Sequence, residues 1–243
     1  MIQQLKRYIL AQQYVPGMVG IWVNPFYLAR RGLLDEMRKM APRIKGLLLD
    51  VGCGRKPYRS LFQVDEYVGL EIDTPENRAN KQADFFYDGN AFPFEPNEFD
   101  GVVCNQVLEH VFTPDLFLGE INRVLKPGGL LLLTVPFVWD EHEQPWDYAR
   151  YSSFGLKSLV EKNGFEIVEQ QKINADVRAL FQLTNAYLFK VLWTRWSVIN
   201  LLICAIVMAP FNILGVLLCK LLPANPDLYL DQVVLARKKV GND

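Results

Sequence analysis

Histidine and cysteine are scarce in this chain. It has two histidines, His110 and His142, and four scattered cysteines, Cys53, Cys104, Cys204 and Cys219, with no CxxC pair. Such spacing suits a reducing compartment and argues against a disulfide framework or a zinc site. With so few histidines no metal is expected. Net charge is also lacking: the formal value is −1, which gives no general attraction to nucleic acid, so that partner is not expected. Internal repeats and low-complexity tracts are missing. The first stretch, MIQQLKRYILAQQYVPGMVGIWV, does not read as a signal peptide, because Gln12 and Gln13 interrupt its apolar run and no small-residue cleavage pattern follows. The expected location is therefore cytoplasmic.

What is present is a long alternation of element types. At 243 residues the chain can bury one good core and a smaller appendage. Residues 1–45 read as a helical cap, broken at Val-Pro-Gly and again at Asn-Pro-Phe. Short apolar runs then alternate with helical segments: LLLDV (47–51), YVGLE (67–71), ADFFY (83–87), FDGVVC (99–104) and LLLLTV (130–135). Five such strands with helices between them imply a parallel sheet covered on both faces, an α/β fold. SSFGLKSLVEKNG, with serine caps before it and Asn-Gly after it, predicts a helix over 153–163. GFEIVEQQKI (164–173) and YLDQVVLARK (229–238) alternate as a sixth and a seventh strand. The core domain is thus 46–173 with 229–239, and residues 174–228 form an insert.

The turn after the first strand carries the first functional signal. LLLDVGCGRKPY ends a buried strand in Asp50 and follows it with Gly52 and Gly54. A glycine turn there lets the backbone approach a ligand where a Cβ would collide, and presents N–H groups to it. A dinucleotide fingerprint requires a third glycine where Pro57 stands, so that fingerprint fails. The second strand ends in Glu71, where an acid can accept hydrogen bonds from a ribose diol. Two other readings stay open at this point: a plain turn, and a solvated acid at a strand end.

DGNAFPFEPNEFDGVVCNQVLEHV (88–111) and RVLKPGGLLLLTVPF (123–137), taken with LDVGCG, resemble the class I S-adenosylmethionine-dependent methyltransferases over roughly residues 45–172. The resemblance implies a Rossmann-like seven-stranded sheet in the order 3-2-1-4-5-7-6, last strand antiparallel, and S-adenosylmethionine as cofactor. It also implies roles. Asp50, Gly52 and Gly54 border the methionine and ribose, and Glu71 binds the ribose hydroxyls. Asp88 lies near the adenine amino group with Ala91 and Phe92 beside the ring, and Asn105 lines the place where methyl group and acceptor meet. Many relatives carry a third glycine at the position of Lys56, whose charged side chain is placed to approach the cofactor carboxylate instead.

PFVWDEHEQPWDYARYS (136–152) follows the fifth strand, at the rim of the expected site. His142, Glu143, Asp147, Tyr148 and Arg150 crowd there. His142 is the first candidate base, since an imidazole titrates near neutrality. Asp147 belongs to the same candidate set, and Arg150 is suited to hold an acceptor phosphate or carboxylate. The alternative is a structural loop whose acids and arginine pair with each other. His110, in LEHV, is read either as a packing residue or as a second catalytic group. The segment also resembles HxxPxDYxRY-type sequences in methyltransferases tied to cell-surface glycan assembly.

Finally, WSVINLLICAIVMAPFNILGVLLC (196–219) holds 24 residues without a charge, between Arg195 and Lys220. Length, flanking tryptophans and basic ends read as a membrane element. The chain must return to supply the seventh strand, so the expectation is a monotopic hairpin of two arms meeting at Ala209-Pro210-Phe211, on the cytoplasmic face. A soluble apolar cap, buried in a homodimer or roofing the acceptor pocket, is the competing reading. A membrane-held enzyme would meet lipid-linked glycan acceptors, or quinone and other lipid acceptors. A cofactor-binding scaffold without catalysis is the alternative from another class.

Overall fold

The computed structural model describes residues 8–80 and 82–241, with the side chain of Asn80 also outside the description. The first seven residues of the expected helical cap lie outside the described residues. The strands are β1 (Leu47–Val51), β2 (Glu66–Ile72), β3 (Phe85–Tyr87), β4 (Phe99–Asn105), β5 (Leu125–Pro136), β6 (Phe165–Ile173) and β7 (Asp231–Lys238). They form a seven-stranded sheet in the order β3-β2-β1-β4-β5-β7-β6, as the sequence predicts. The pairs β1–β2, β1–β4, β2–β3 and β4–β5 are parallel. Leu230 donates to Ile173 at one end of the β6–β7 pair and Lys239 to Gly164 at the other, so β7 runs antiparallel to β6.

The chain divides into two compact units. The larger one comprises residues 37–137, 141–171 and 232–243 and carries most of the sheet. Its core joins strand residues (Leu49, Val102, Leu131, Leu133) to apolar faces of the helices Pro114–Val124 and Ser153–Lys162. β1 is buried on both faces, which explains the apolar run Leu47–Leu49 ahead of Asp50. The helix at 153 starts where Ser152 accepts from the Gly155 N–H at 3.2 Å, a side-chain cap read correctly from sequence.

The smaller unit comprises residues 1–36, 138–140 and 172–231. Both sequence breaks appear in it, at Val15–Gly17 and at Asn24–Phe26. Its long helices are Tyr27–Met40, of which the first ten residues belong here, Arg178–Leu192 and Ser197–Leu218. The last corrects the expectation of two arms meeting at Pro210. The backbone stays right-handed helical through Cys204, Met208 and Ala209, and a π-helical turn, Cys204–Met208, precedes Pro210. The wider turn absorbs the loss of a proline N–H without breaking the rod. The actual break falls at residues 193–196, between the two helices.

Buried amides fix this pair of helices, of which Ser197–Leu218 carries no charge. Gln182 accepts from the Ala29 N–H at 3.1 Å and donates to the Pro25 carbonyl at 3.0 Å. Asn185 donates to the Met208 carbonyl, at the end of the π turn, and to Asn212. Asn212 in turn donates to the carbonyls of Ile21 and Asn24. Replacing Asn212 by leucine leaves these buried acceptors without their donor. The expected cost is about 1–3 kcal/mol, measured as a lowered urea midpoint with unchanged slope.

Candidate active site

The parallel register sets the carboxyl ends of β1, β2, β3 and β4 along one edge. Asp50 pairs with Gly69 and Val51 with Leu70, Val51 with Cys104, and Ile72 with Tyr87. Asp50, Glu71, Asp88 and Asn105 therefore all fall at this edge, the place where open α/β sheets bind ligands. Gly52 and Gly54 have φ of +69° and +53°, a conformation that favours glycine. A Cβ on Gly52 would also stand 2.4 Å from the Val107 side chain. Gly52 is thus required by both conformation and space, and Gly54 is favoured by its conformation.

The acids behave differently. Glu71 is buried, and its Oε2 accepts from the Gly54 N–H at 3.0 Å, which ties the glycine turn to the second strand. Asp50 is buried too and accepts from the Tyr67 hydroxyl. Burial pushes the Asp50 carboxyl up to about 7, against the lowering effects of Tyr67 and Lys56. Asp88 is exposed, and the backbone and side chain of Asn90 hold its carboxyl below the usual range. Ala91 is exposed, whereas Phe92 is buried, edge-on to Tyr87 at 5.1 Å. Asn105 accepts from Thr134 Oγ1 at 2.8 Å.

Lys56 has a partner of its own in the glycine turn. It pairs with Asp84, whose other contact is the Gly69 N–H at 2.7 Å, so the nearby acid claims the ammonium. Its φ of +52° explains why glycine is the usual residue there: a side chain in this conformation costs about 1–2 kcal/mol. Sequence reasoning missed Tyr67 and Asp84, which only strand register brings to the glycine turn. It also missed Glu120 and Arg123. Glu120 accepts from the Phe92 N–H at 2.8 Å, and Arg123 donates to the carbonyls of Phe92 and Phe94, which holds the 88–94 loop.

At the rim, Asp147 and Arg150 form a two-pronged pair at 2.6 and 2.7 Å. The guanidinium lowers the Asp147 carboxyl to about 2. Asp147 Oδ2 also lies 3.3 Å from His142 Nδ1 and accepts from the His142 N–H at 2.9 Å. Arg150 is thus held by Asp147, and Asp147 orients His142. His110 and His142, 32 positions apart in the chain, stand with ring centroids 4.9 Å apart, near perpendicular. Glu109 is fully buried beside them, with Oε1 3.9 Å from His110 Nε2. Glu143 Oε2 is 3.9 Å from the same nitrogen, and Tyr148 is exposed, edge-on to Phe112 at 5.2 Å.

The raised Asp50 pKa has a stability consequence. Between about pH 4 and 7 the folded chain keeps a proton that the unfolded chain has lost. The contribution of this group is therefore greatest at low pH and falls as pH rises through about 7. Urea titrations at pH 5 and pH 8 are expected to show wild type losing stability relative to Asp50→Asn across that interval; parallel curves would contradict it.

Comparison with known proteins agrees with this geometry. Residues 49–133 match the family model described as "Methyltransferase domain". An uncharacterized methyltransferase of Mycobacterium leprae is 35% identical over 103 residues, 39% of this chain and 38% of that protein. Demethylmenaquinone methyltransferase of Staphylococcus carnosus is 27% identical over 175 residues, 61% of this chain and 71% of that one. In structure, the Haemonchus contortus phosphoethanolamine N-methyltransferase 2, in complex with S-adenosyl-L-methionine, superposes with a TM-score of 0.55 at 18% identity, over 96% of this chain and 57% of that one. The chain spans well under two thirds of the Mycobacterium relative's length. The family match over residues 49–133, together with the strand order and the acids at one sheet edge, makes this part of the chain a methyltransferase domain of the class I, S-adenosylmethionine-dependent type.

Proposed function

We propose that this chain transfers a methyl group from S-adenosylmethionine to an oxygen of a lipid-linked glycan at the cytoplasmic face of a membrane. The observation that carries the donor half is the cradle of Gly52, Gly54 and Glu71, with Asp50 beneath and Asp88 beyond β3. These residues fit the cofactor: a backbone turn that admits no Cβ, a buried acid for a diol and an exposed acid for an amine. When bound, the sulfonium would give its activated methyl group to the acceptor oxygen and leave as a neutral thioether, the electron pair of the carbon–sulfur bond staying on sulfur. Alignment of the reacting atoms lowers such barriers by about 7–11 kcal/mol in good cases. Asn105 lines the transfer point. His142, oriented by Asp147, is the first group to take the acceptor hydroxyl proton, a role worth about 10²–10⁴-fold, and Arg150 acts by holding Asp147.

The membrane half rests on the smaller unit. Ser197–Leu218 has a mean hydropathy of 2.6 and its window is only 28% buried. Val198, Leu202 and Ile206, four residues apart and thus on one face, are 72%, 53% and 69% exposed. Cys204 and Met208 are buried. An exposed apolar stripe of this kind favours a helix lying at a lipid interface, and acceptors with lipid tails would be concentrated there. A quinone acceptor is the second reading, supported by the similarity to a demethylmenaquinone methyltransferase.

Incubation with radiolabelled S-adenosylmethionine and a membrane lipid extract is expected to label a sugar-bearing lipid; label in a quinone would replace the glycan reading with the second one. Glu71→Ala and Asp88→Ala are each expected to weaken donor binding by about 10–150-fold, the loss of a charge-assisted hydrogen bond, read by calorimetry. Unchanged affinity in both would misplace the nucleoside. Val198→Glu, Leu202→Glu and Ile206→Glu together are expected to abolish flotation with phospholipid vesicles without lowering the melting temperature. A wild-type chain that never floats would remove the membrane reading.

A further inference from the structure

Both histidines of the chain meet at one point, although 32 positions separate them. One ring nitrogen from each and one oxygen of the buried Glu109 all lie within 4.8 Å of one another. From this convergence we infer that Glu109, His110 and His142 form a binding site for a borderline first-row divalent cation such as Zn²⁺.

The surroundings fit that use. His110 Nδ1 is 2.7 Å from the Trp146 carbonyl. A carbonyl only accepts, so Nδ1 carries the proton and the neutral ring presents its lone pair at Nε2. Nε2 is the nitrogen that faces Glu109 and Glu143, each at 3.9 Å. His142 has Asp147 at 3.3 Å from Nδ1. Both rings therefore have the outer partner, a backbone carbonyl or a carboxylate, that orients metal-ligating imidazoles. Two imidazoles with a carboxylate suit zinc and its neighbours, whereas calcium and magnesium prefer oxygen throughout. Donors around one tetrahedral zinc ion stand about 3.3–3.4 Å apart, so closure from 4.8 Å needs side-chain shifts on the order of an ångström. Glu143, exposed at the mouth, is available as a further ligand.

The cation's use rests on the proposed methyl transfer, although its binding does not. A cation held by three protein ligands keeps an open position, where an acceptor hydroxyl would bind through oxygen and lose its proton more readily. His142 then acts as a ligand instead of taking that proton directly.

The test is Zn²⁺ titration of the full chain, freed of any affinity tag, by calorimetry and by histidine ring NMR, with Co²⁺ absorption as a second probe. The expected result is one Zn²⁺ per chain, perturbation of both histidine rings, and Co²⁺ bands without thiolate charge transfer. His110→Ala and His142→Ala are each expected to abolish the site, and Asp147→Asn to weaken it about 10–100-fold, with folding checked by urea titration. No saturable uptake by millimolar Zn²⁺, or uptake unchanged in both histidine variants, overturns the inference. Methyl transfer by a chain that takes up no Zn²⁺ overturns it while leaving the proposed function standing. Zn²⁺ uptake at the two rings without methyl transfer supports it and removes that function.

Discussion

Parallel pairing of β1 with β2 and β4 is the constraint on which the donor site depends. Because neighbouring strands run the same way, their carboxyl ends share an edge, and residues far apart in sequence become neighbours there. Gly54 and Glu71, 17 positions apart, are joined by a 3.0 Å hydrogen bond. That bond holds the glycine turn in a left-handed conformation beside the second strand. Asp50, just inside the edge, is desolvated by the same packing, which is why its carboxyl titrates so far above an ordinary aspartate. The geometry that gathers these residues at one edge thus also sets the chemical environment of the acids there.

The smaller unit solves a different problem. A helix without charges can pack in many registers, since apolar contacts are not directional. Buried amides remove that freedom. Gln182, Asn185 and Asn212 each engage backbone groups that would otherwise be desolvated without partners. The same arrangement compensates for Pro210: the π turn widens the helix, and Asn185 meets the carbonyl at its end. These amides lie among buried apolar residues such as Ala186, Cys204 and Met208, while Val198, Leu202 and Ile206 of the same helix pair are exposed.

The rim departs furthest from a linear reading. Scarcity of histidine argues against a metal when the residues are counted along the chain. Folding brings the two that exist together and sets Glu109 beneath them. Asp147 and Arg150 pair with each other, as the structural reading of the loop allowed, yet Asp147 also reaches His142. The structural and the functional readings of that loop therefore describe the same contacts.

Sequence alone determined the strands and the glycine turn, and its run of motifs carried the resemblance that implied the strand order. Each rests on local physics: an apolar period, a turn that admits no side chain, and a run of motifs in fixed succession. The donor residues at strand ends were legible for the same reason, since a strand end is a local property. Tertiary structure alone decided what long-range geometry controls. It gave Lys56 to Asp84, added Tyr67 beneath the cradle, carried the apolar helix unbroken past Pro210, and placed His110 against His142. These outcomes depend on distances between segments remote in sequence, and a chain met residue by residue carries no measure of them.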